Sequence, residues 1–432
     1  MAHSAGLTLP TLFVLCVSVA LSATACQSPK APPRSPSAAE PMSLDAAMAL
    51  IDARDDWGKH PPINIPRHPA EKHLAGMTIV LDPGHGASDG IPYEKDPTYK
   101  RGPTGVREDD INLRVGLLLA RLLRDAGANV ILTRDADVQL GLRERAQVTN
   151  TAPRPDGGAG ADLFISIHHN AVNNPNANYS SVWYHGEVDD AEVALDIGRY
   201  IAHRLGAALR TDVARTSPLL SDQLMYGGGF GVLRACEVPG ILLESSFFSH
   251  PAEEQRLRDA GYNLREAYAI YEGLCEYAYG GRPTQTVQLD RDAGISATEE
   301  GLVAVLVFDL DDGLPDWWGK DRNRILTGSI QAREESGKAL IPVLQADAPN
   351  RRRVVVPVAL SPAAGGGSVE QVVEFRFQNM FKHHNHPQRY RVRATPLTDG
   401  QWVGEVTALP VRQASPPTTR PASPPATQPA GS

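Results

Sequence analysis

Between Met77 and Tyr279 short apolar runs alternate with longer stretches in which apolar residues recur every three or four positions. Thr78-Ile-Val-Leu81, Asn129-Val-Ile-Leu-Thr133, Asp162-Leu-Phe-Ile-Ser-Ile167 and Gly240-Ile-Leu-Leu243 have strand length and predict buried strands. Asp109 to Asp125 puts Ile111, Val115, Leu118, Leu119 and Leu122 on one helical face, and Gly127 follows as a C-terminal cap. Gly141 to Asn150, Glu192 to Leu209 and Ala252 to Tyr279 predict further helices. Strands separated by helices predict an α/β domain, a mainly parallel twisted sheet with helices on both faces.

After Gly280-Gly-Arg-Pro283 the period changes to two. Leu302 to Phe308, Arg324 to Ile330, Arg352 to Leu360, Val369 to Phe377, Arg389 to Thr395 and Trp402 to Ala408 predict strands. Tyr390, Val392 and Ala394 alternate with Arg391 and Arg393, the pattern of a strand with one wet face. No helix of comparable strength intervenes, so residues 284–412 predict a small all-β domain, a sandwich or barrel.

The ends differ in composition. Leu7 to Leu21 is almost wholly apolar and is followed by Ser22-Ala-Thr-Ala-Cys26. That run is short for a membrane span, and small residues suit cleavage, so residues 1–26 predict an export signal. Cys26 stands where a bacterial lipoprotein signal carries its lipidated residue, which would anchor the chain to a membrane. No Lys or Arg precedes the apolar run, Ala23 replaces the usual Leu, and Ala23-Thr-Ala25 equally suits ordinary cleavage. Residues 27–76 predict a linker, with a short helix from Ser43 to Trp57 that Ser43 caps. Residues 413–432, rich in Pro, Ala, Ser and Thr, predict a disordered tail. The export signal leads to the periplasm or cell envelope. A net charge of -8 gives no reason to expect nucleic acid. Of four cysteines only Cys236 and Cys275 fall in the folded part, where an exported setting permits a disulfide and two buried thiols are the alternative.

Four short motifs carry the candidate chemistry: Leu81-Asp-Pro-Gly-His-Gly86, Arg107-Glu-Asp-Asp110, Ser166-Ile-His-His-Asn170 and Leu243-Glu-Ser-Ser-Phe247. Each lies at a predicted strand end or helix start. Ligands of open α/β sheets gather where strands end, so His85, His168 and Glu244 point to one site. Two imidazoles and a carboxylate can hold one zinc with a position left open. Each residue also has a plainer reading. His85 suits a simple turn between glycines, Glu108 can oppose the positive end of a helix, and Glu244 can pair with Arg234. His168 keeps the phase of its strand, whereas His169 points the other way, to an outer layer or the surface; local irregularity of the strand would swap the two.

Taken together these motifs resemble the zinc-dependent N-acetylmuramoyl-L-alanine amidases of the amidase-3 family. Thr133-Arg-Asp135, Leu142-Arg-Glu-Arg-Ala146, Val232-Leu-Arg234 and Pro251-Ala-Glu-Glu254 extend the resemblance over residues 78–279. It implies a zinc amidase domain over residues 77–281, zinc held by His85, Glu108 and His168, and Glu244 as the catalytic acid and base. It also implies peptidoglycan as substrate, cut between muramic acid and L-Ala. The chain departs from the family at His169, where Ala is usual, and at Ser245-Ser246, where Thr-Gly is usual. A zinc carboxypeptidase acting on wall peptides and a non-catalytic wall-binding lipoprotein are the competing readings. The insertions Ala87 to Val106 and Thr211 to Gly231 are candidates for covering the site, the latter hinging at Gly227-Gly-Gly229, either by itself or until an activator protein binds. In the β domain, Trp317-Trp318 suits a core or a sugar-stacking surface, and His383-His-Asn-His386 suits a polar turn better than a metal cluster. The arginines between Arg351 and Arg393 suit a solvated face or an anionic wall polymer.

Overall fold

The computed structural model describes residues 40–54, 65–87, 100–186, 191–211, 217–292, 294–299, 301–319, 324–346, 351–360, 367–386, 388–398 and 400–409. The export signal with Cys26, most of the insertion after Ala87 and the C-terminal tail lie outside these residues. Among the described residues no helix is long and apolar enough to cross a membrane.

The α/β part contains α1 (Leu44–Asp52), β1 (Thr78–Pro83), α2 (Glu108–Asp125), β2 (Asn129–Leu132), α3 (Leu142–Asn150), β3 (Leu163–Asn170), β4 (Ser181–Tyr184), α4 (Ala191–Leu209), β5 (Leu219–Ser221), α5 (Gly231–Ala235), β6 (Gly240–Phe247), α6 (Pro251–Leu257) and α7 (Ala260–Tyr279). Its six strands run in the order β2-β1-β3-β6-β4-β5. The first four are parallel, whereas β4 is antiparallel to β6 and carries β5 parallel beside it. Ser43 caps α1 as its sequence predicts, accepting from Ala46 N.

Alternation decides which face each strand residue serves. Ile79, Leu81, Leu163, Ile165, Ile167, Ile241 and Leu243 join the core under α1, α2, α4 and α7. Val80, Phe164 and Leu242, in the opposite phase, join the core under α3 and α5. Because both faces are covered, these strands are almost continuously apolar. Cys275 lies in the first core and Cys236 in the second, so the two buried cysteines do not form a disulfide with each other.

Four predicted elements need correction here. The stretch from Ala252 to Tyr279 is two helices, because Asp259 starts α7 by accepting from Gly261 N at 2.8 Å. The strands ending at Ile167 and Leu243 continue to Asn170 and Phe247, so His168 and Glu244 sit inside strands rather than beyond them. Arg324 to Ile330 is not a strand: Arg324 is drawn into a buried pair with Asp312 at 2.8 Å, and Thr327–Ser329 forms a 3-10 turn.

The C-terminal part comprises β7 (Thr284–Leu289), β8 (Ile295–Thr298), β9 (Gly301–Asp311), β10 (Gln331–Glu334), β11 (Ala339–Leu340), β12 (Val343–Ala346), β13 (Arg351–Leu360), β14 (Val369–Arg376), β15 (Gln388–Pro396) and β16 (Trp402–Leu409). They form two mostly antiparallel sheets, β11-β10-β14-β15-β16 and β12-β13-β9-β7, with β8 against β9. Their inner residues share one core that includes Phe308 stacked on Phe375 at 4.0 Å between centroids. The arginines of this part are largely tied to acids: Arg353 to Asp309, Arg376 to Glu374 and Glu192, Arg389 to Glu335 and Arg391 to Glu370.

His383 and His384 are not a solvated turn. His383 is buried, stacks on Tyr277 at 4.8 Å, accepts from or donates to Tyr200 Oη at 2.9 Å and lies 2.9 Å from Gly281 O. His384 binds Asp196 through its backbone N and ring at 2.7 and 3.0 Å. The segment thus docks the β part onto α4 and the end of α7. Arg282 adds an ion pair at 3.2 Å to Asp162, at the start of β3.

Candidate metal centre

Strand phase builds the centre. His168 continues the phase of Phe164 and Ser166, and its register partner on the neighbouring parallel strand is Glu244. Partners in adjacent strands lie about 4.8 Å apart with side chains on the same face. Glu108 opens α2, which crosses toward that strand end. His85 follows β1 in the left-handed region at φ 60, an uncommon state for a residue with a side chain.

His85 Nε2 lies 3.1 Å from Glu108 Oε2, and His168 Nδ1 lies 3.0 Å from Glu108 Oε1. The two imidazoles meet edge to face at 4.8 Å. One donor atom from each of the three residues falls within 4.8 Å of the others. Ligands of one tetrahedral zinc at about 2.0–2.1 Å stand roughly 3.4 Å apart, so the spacing and the N, N, O donor set fit such an ion. Glu108 is only 4 % exposed. Burial alone would raise its carboxyl, but hydrogen bonds and charge from His168 and His85 outweigh this and hold it well below the usual range. Burial lowers His168, which favours the neutral imidazole that a metal requires.

Glu244 makes no ion pair with Arg234. Arg234 is exposed and donates to Gly228 O at 2.5 Å, whereas Glu244 Oε2 is buried without a hydrogen-bond partner. Burial, then repulsion from Glu108, push the Glu244 carboxyl well above the usual range. A buried unpartnered carboxylate in register with His168 is costly unless something else meets it there.

The glycines flanking His85 each relieve a close approach. A side chain at Gly84 would come within 2.1 Å of His168 Cε1, so Gly84 makes room for His168 rather than for His85. Gly86, at φ 142, passes close to the Val138 carbonyl.

His169 faces the other core, as its phase requires. Its Nδ1 meets Asn112 Oδ1 at 2.9 Å and its Nε2 meets Glu266 Oε2 at 3.1 Å, all three buried. Asn112 lies one turn after Glu108 and donates to Gly84 O at 3.2 Å, while the His169 backbone N donates to Glu108 Oε1 at 3.2 Å. His169 therefore supports Glu108 from behind.

Several supporting residues escaped the sequence reading. Asp82, 1 % exposed, accepts from Arg145, Thr133 and Ser166 at 2.6 to 2.8 Å. Arg145 also donates to His85 O at 2.8 Å, and Arg134 donates to Pro83 O and Gly84 O at 2.7 and 2.9 Å. Glu254 accepts from Thr104 N and Val106 N at 2.8 and 3.1 Å, fixing the approach to Glu108. The signal was present in the Thr-Arg-Asp, Leu-Arg-Glu-Arg-Ala and Pro-Ala-Glu-Glu runs, but periodicity cannot tell a buried arginine from a surface one. Of the insertion up to Gly231, residues 212–216 lie outside the description. Its remainder is clipped at Asp222, which accepts from Phe230 N at 2.8 Å and meets His185 at 2.9 Å.

Residues 79–276 match the family described as N-acetylmuramoyl-L-alanine amidase. The chain is 29% identical over 222 residues to the probable cell wall amidase LytH of Staphylococcus epidermidis, covering 51% of this chain and 65% of that one. It is 32% identical over 205 residues to the protein of the same name from Staphylococcus aureus, covering 47% and 59%. The matched region thus spans less than two thirds of the length of these relatives. Among solved structures, an N-acetylmuramoyl-L-alanine amidase from Clostridium difficile 630 aligns over 47% of this chain and 97% of its own, at 26% identity and a TM-score of 0.39.

Proposed function

Since residues 79–276 are a domain of the N-acetylmuramoyl-L-alanine amidase family, we propose that this protein hydrolyses peptidoglycan at the amide joining the lactyl group of muramic acid to L-Ala. His85, Glu108 and His168 are the residues that would hold a zinc ion. Zinc bound there supplies Lewis acidity, which makes water a nucleophile near neutral pH and polarises an amide carbonyl.

The chain's own residues divide the remaining work. Glu244 takes a proton from the attacking water and delivers it to the departing amine of L-Ala, without which the amine leaves poorly. His169, Asn112 and Glu266 keep Glu108 in place, and Arg134 and Arg145 keep the turn that carries His85. The observation that carries this reading is the buried, unpartnered Glu244 Oε2 on the same sheet face as His168, its register partner.

We further place the protein in the cell envelope, exported by its N-terminal segment and held there by a lipid on Cys26. Digestion of purified peptidoglycan, followed by mass analysis, tests the reaction. The expected products are glycan with free lactyl groups and intact stem peptides, with no release after chelation and recovery on adding zinc. Loss of one terminal amino acid from otherwise attached peptides would contradict it.

A further inference from the structure

A cavity of about 850 Å³ opens where the β part meets the α/β part. Lys72 and His73, Arg199, Tyr279, and Trp317 and Phe381 of the β part line it. Its location is remote from the metal centre. The turn carrying Lys72 leads into the start of β1, and Tyr279 ends α7, whereas His168 lies at the far end of the parallel strands. From Leu163 to His168 alone the chain advances about 16 Å.

The lining has a definite chemistry. Trp317 is 61% exposed, yet its ring is held firmly, stacked on Trp318 at 5.1 Å and backed by Tyr279 at 6.4 Å. An indole fixed in this way and left open to water is a stacking platform rather than part of a core. Lys72 Nζ stands 6.0 Å from that ring and makes no ion pair among the described residues. Arg199 adds a second cation beside Tyr200, partly offset by Asp196 at 3.3 Å. Glu276 also lines the cavity but is already bound to Arg204. His73 Nε2 is buried and has no hydrogen-bond partner.

We propose that this cavity binds a saccharide segment bearing a free carboxylate, the peptide-stripped glycan that the proposed hydrolysis leaves behind. The proposal rests on that reading of the metal centre for the identity of the sugar. The apolar face of a pyranose ring stacks on Trp317. The lactyl carboxylate, freed when the amide is cut, meets Lys72. A glycan still carrying its peptide has an uncharged amide at that position and loses the ion pair. The cavity therefore favours product over substrate, and it holds the protein on cut strands while the metal centre stays free.

The test is calorimetric titration of the full-length chain with peptide-free glycan strands prepared by an unrelated amidase. The same strands with their carboxylates reduced to alcohols serve as the second probe. The native strands should bind, and the reduced ones at least about tenfold more weakly. Trp317→Ala and Lys72→Ala should each weaken binding of native strands by about tenfold or more. Neither variant should change the rate on a small soluble muropeptide. Absence of binding, equal affinity for reduced strands, or wild-type affinity in Trp317→Ala would each overturn the proposal. Binding as expected by a protein that releases no peptide would leave the cavity standing and remove the hydrolytic reading instead.

Discussion

Gly84 shows how closely the candidate metal centre is packed. Its missing side chain is the space that the His168 ring occupies, with only 2.1 Å from an added Cβ to His168 Cε1. His168 cannot retreat along its strand, and its Nδ1 is already directed at Glu108. Gly84→Ala should therefore tilt the imidazole away and lower zinc affinity by about 10- to 100-fold, the effect typical of losing ligand orientation. Competition with a chromogenic chelator measures this, and unchanged affinity would show that the ring has more freedom than the packing allows. His85 carries a different constraint, a left-handed backbone held by Arg145 and the neighbouring glycines.

At the scale of elements, Asp82 ties β1 to the start of α3. Burial alone would push its carboxyl up, but the Arg145 charge and hydrogen bonds from Thr133, Arg145 and Ser166 outweigh burial and hold it below the usual range. Asp82→Ala strands a buried guanidinium and should cost about 3–5 kcal/mol in urea unfolding at pH 7. A depressed acid stabilises the fold above its unfolded pKa and loses that contribution as pH falls toward its folded value. The gap between wild type and variant should therefore be full at neutral pH and shrink below about pH 4. A gap that widened in acid would contradict the pairing.

The same scale shows what the sequence could reveal. The core strands and α2 were legible because two buried faces make continuous apolar runs and an amphipathic helix makes a 3.6-residue period. The phase of β3, readable in the sequence, sends His168 and His169 to opposite faces. The reversed strands β4 and β5 were not legible, because four and three residues carry too little pattern to set a direction. The break at Asp259 was hidden because helix periodicity resumes immediately after the cap. Arg324 to Ile330 has strand-like composition, but a buried Arg324–Asp312 pair overrides local preference there. Outer-layer groups such as Glu266 were invisible for a further reason: their partners lie about a hundred residues away in the chain.

At the scale of the whole molecule, the β part is docked on the end of the α/β sheet remote from His168. The attachment runs through His383 against Gly281, His384 against Asp196 and Arg282 against Asp162. Among the described residues none of these contacts touches His85, Glu108, His168 or Glu244, so the β part adds no residue to the candidate centre. His383→Ala leaves the Tyr200 hydroxyl without its ring partner and opens a gap against Tyr277. It should lower stability by about 1–3 kcal/mol and separate the melting of the two parts in calorimetry. A single undisturbed transition would place the coupling elsewhere. The reaction itself should survive this change, because the centre is built entirely within residues 78–266.

The most direct measurement is made on Glu244→Gln, comparing zinc content per chain with the rate of peptide release from purified peptidoglycan. One zinc per chain should be retained and the rate should fall by about 10²- to 10⁴-fold. Near-normal release, or loss of the metal along with activity, would contradict the assignment of proton transfer to Glu244 and of the metal to His85, Glu108 and His168.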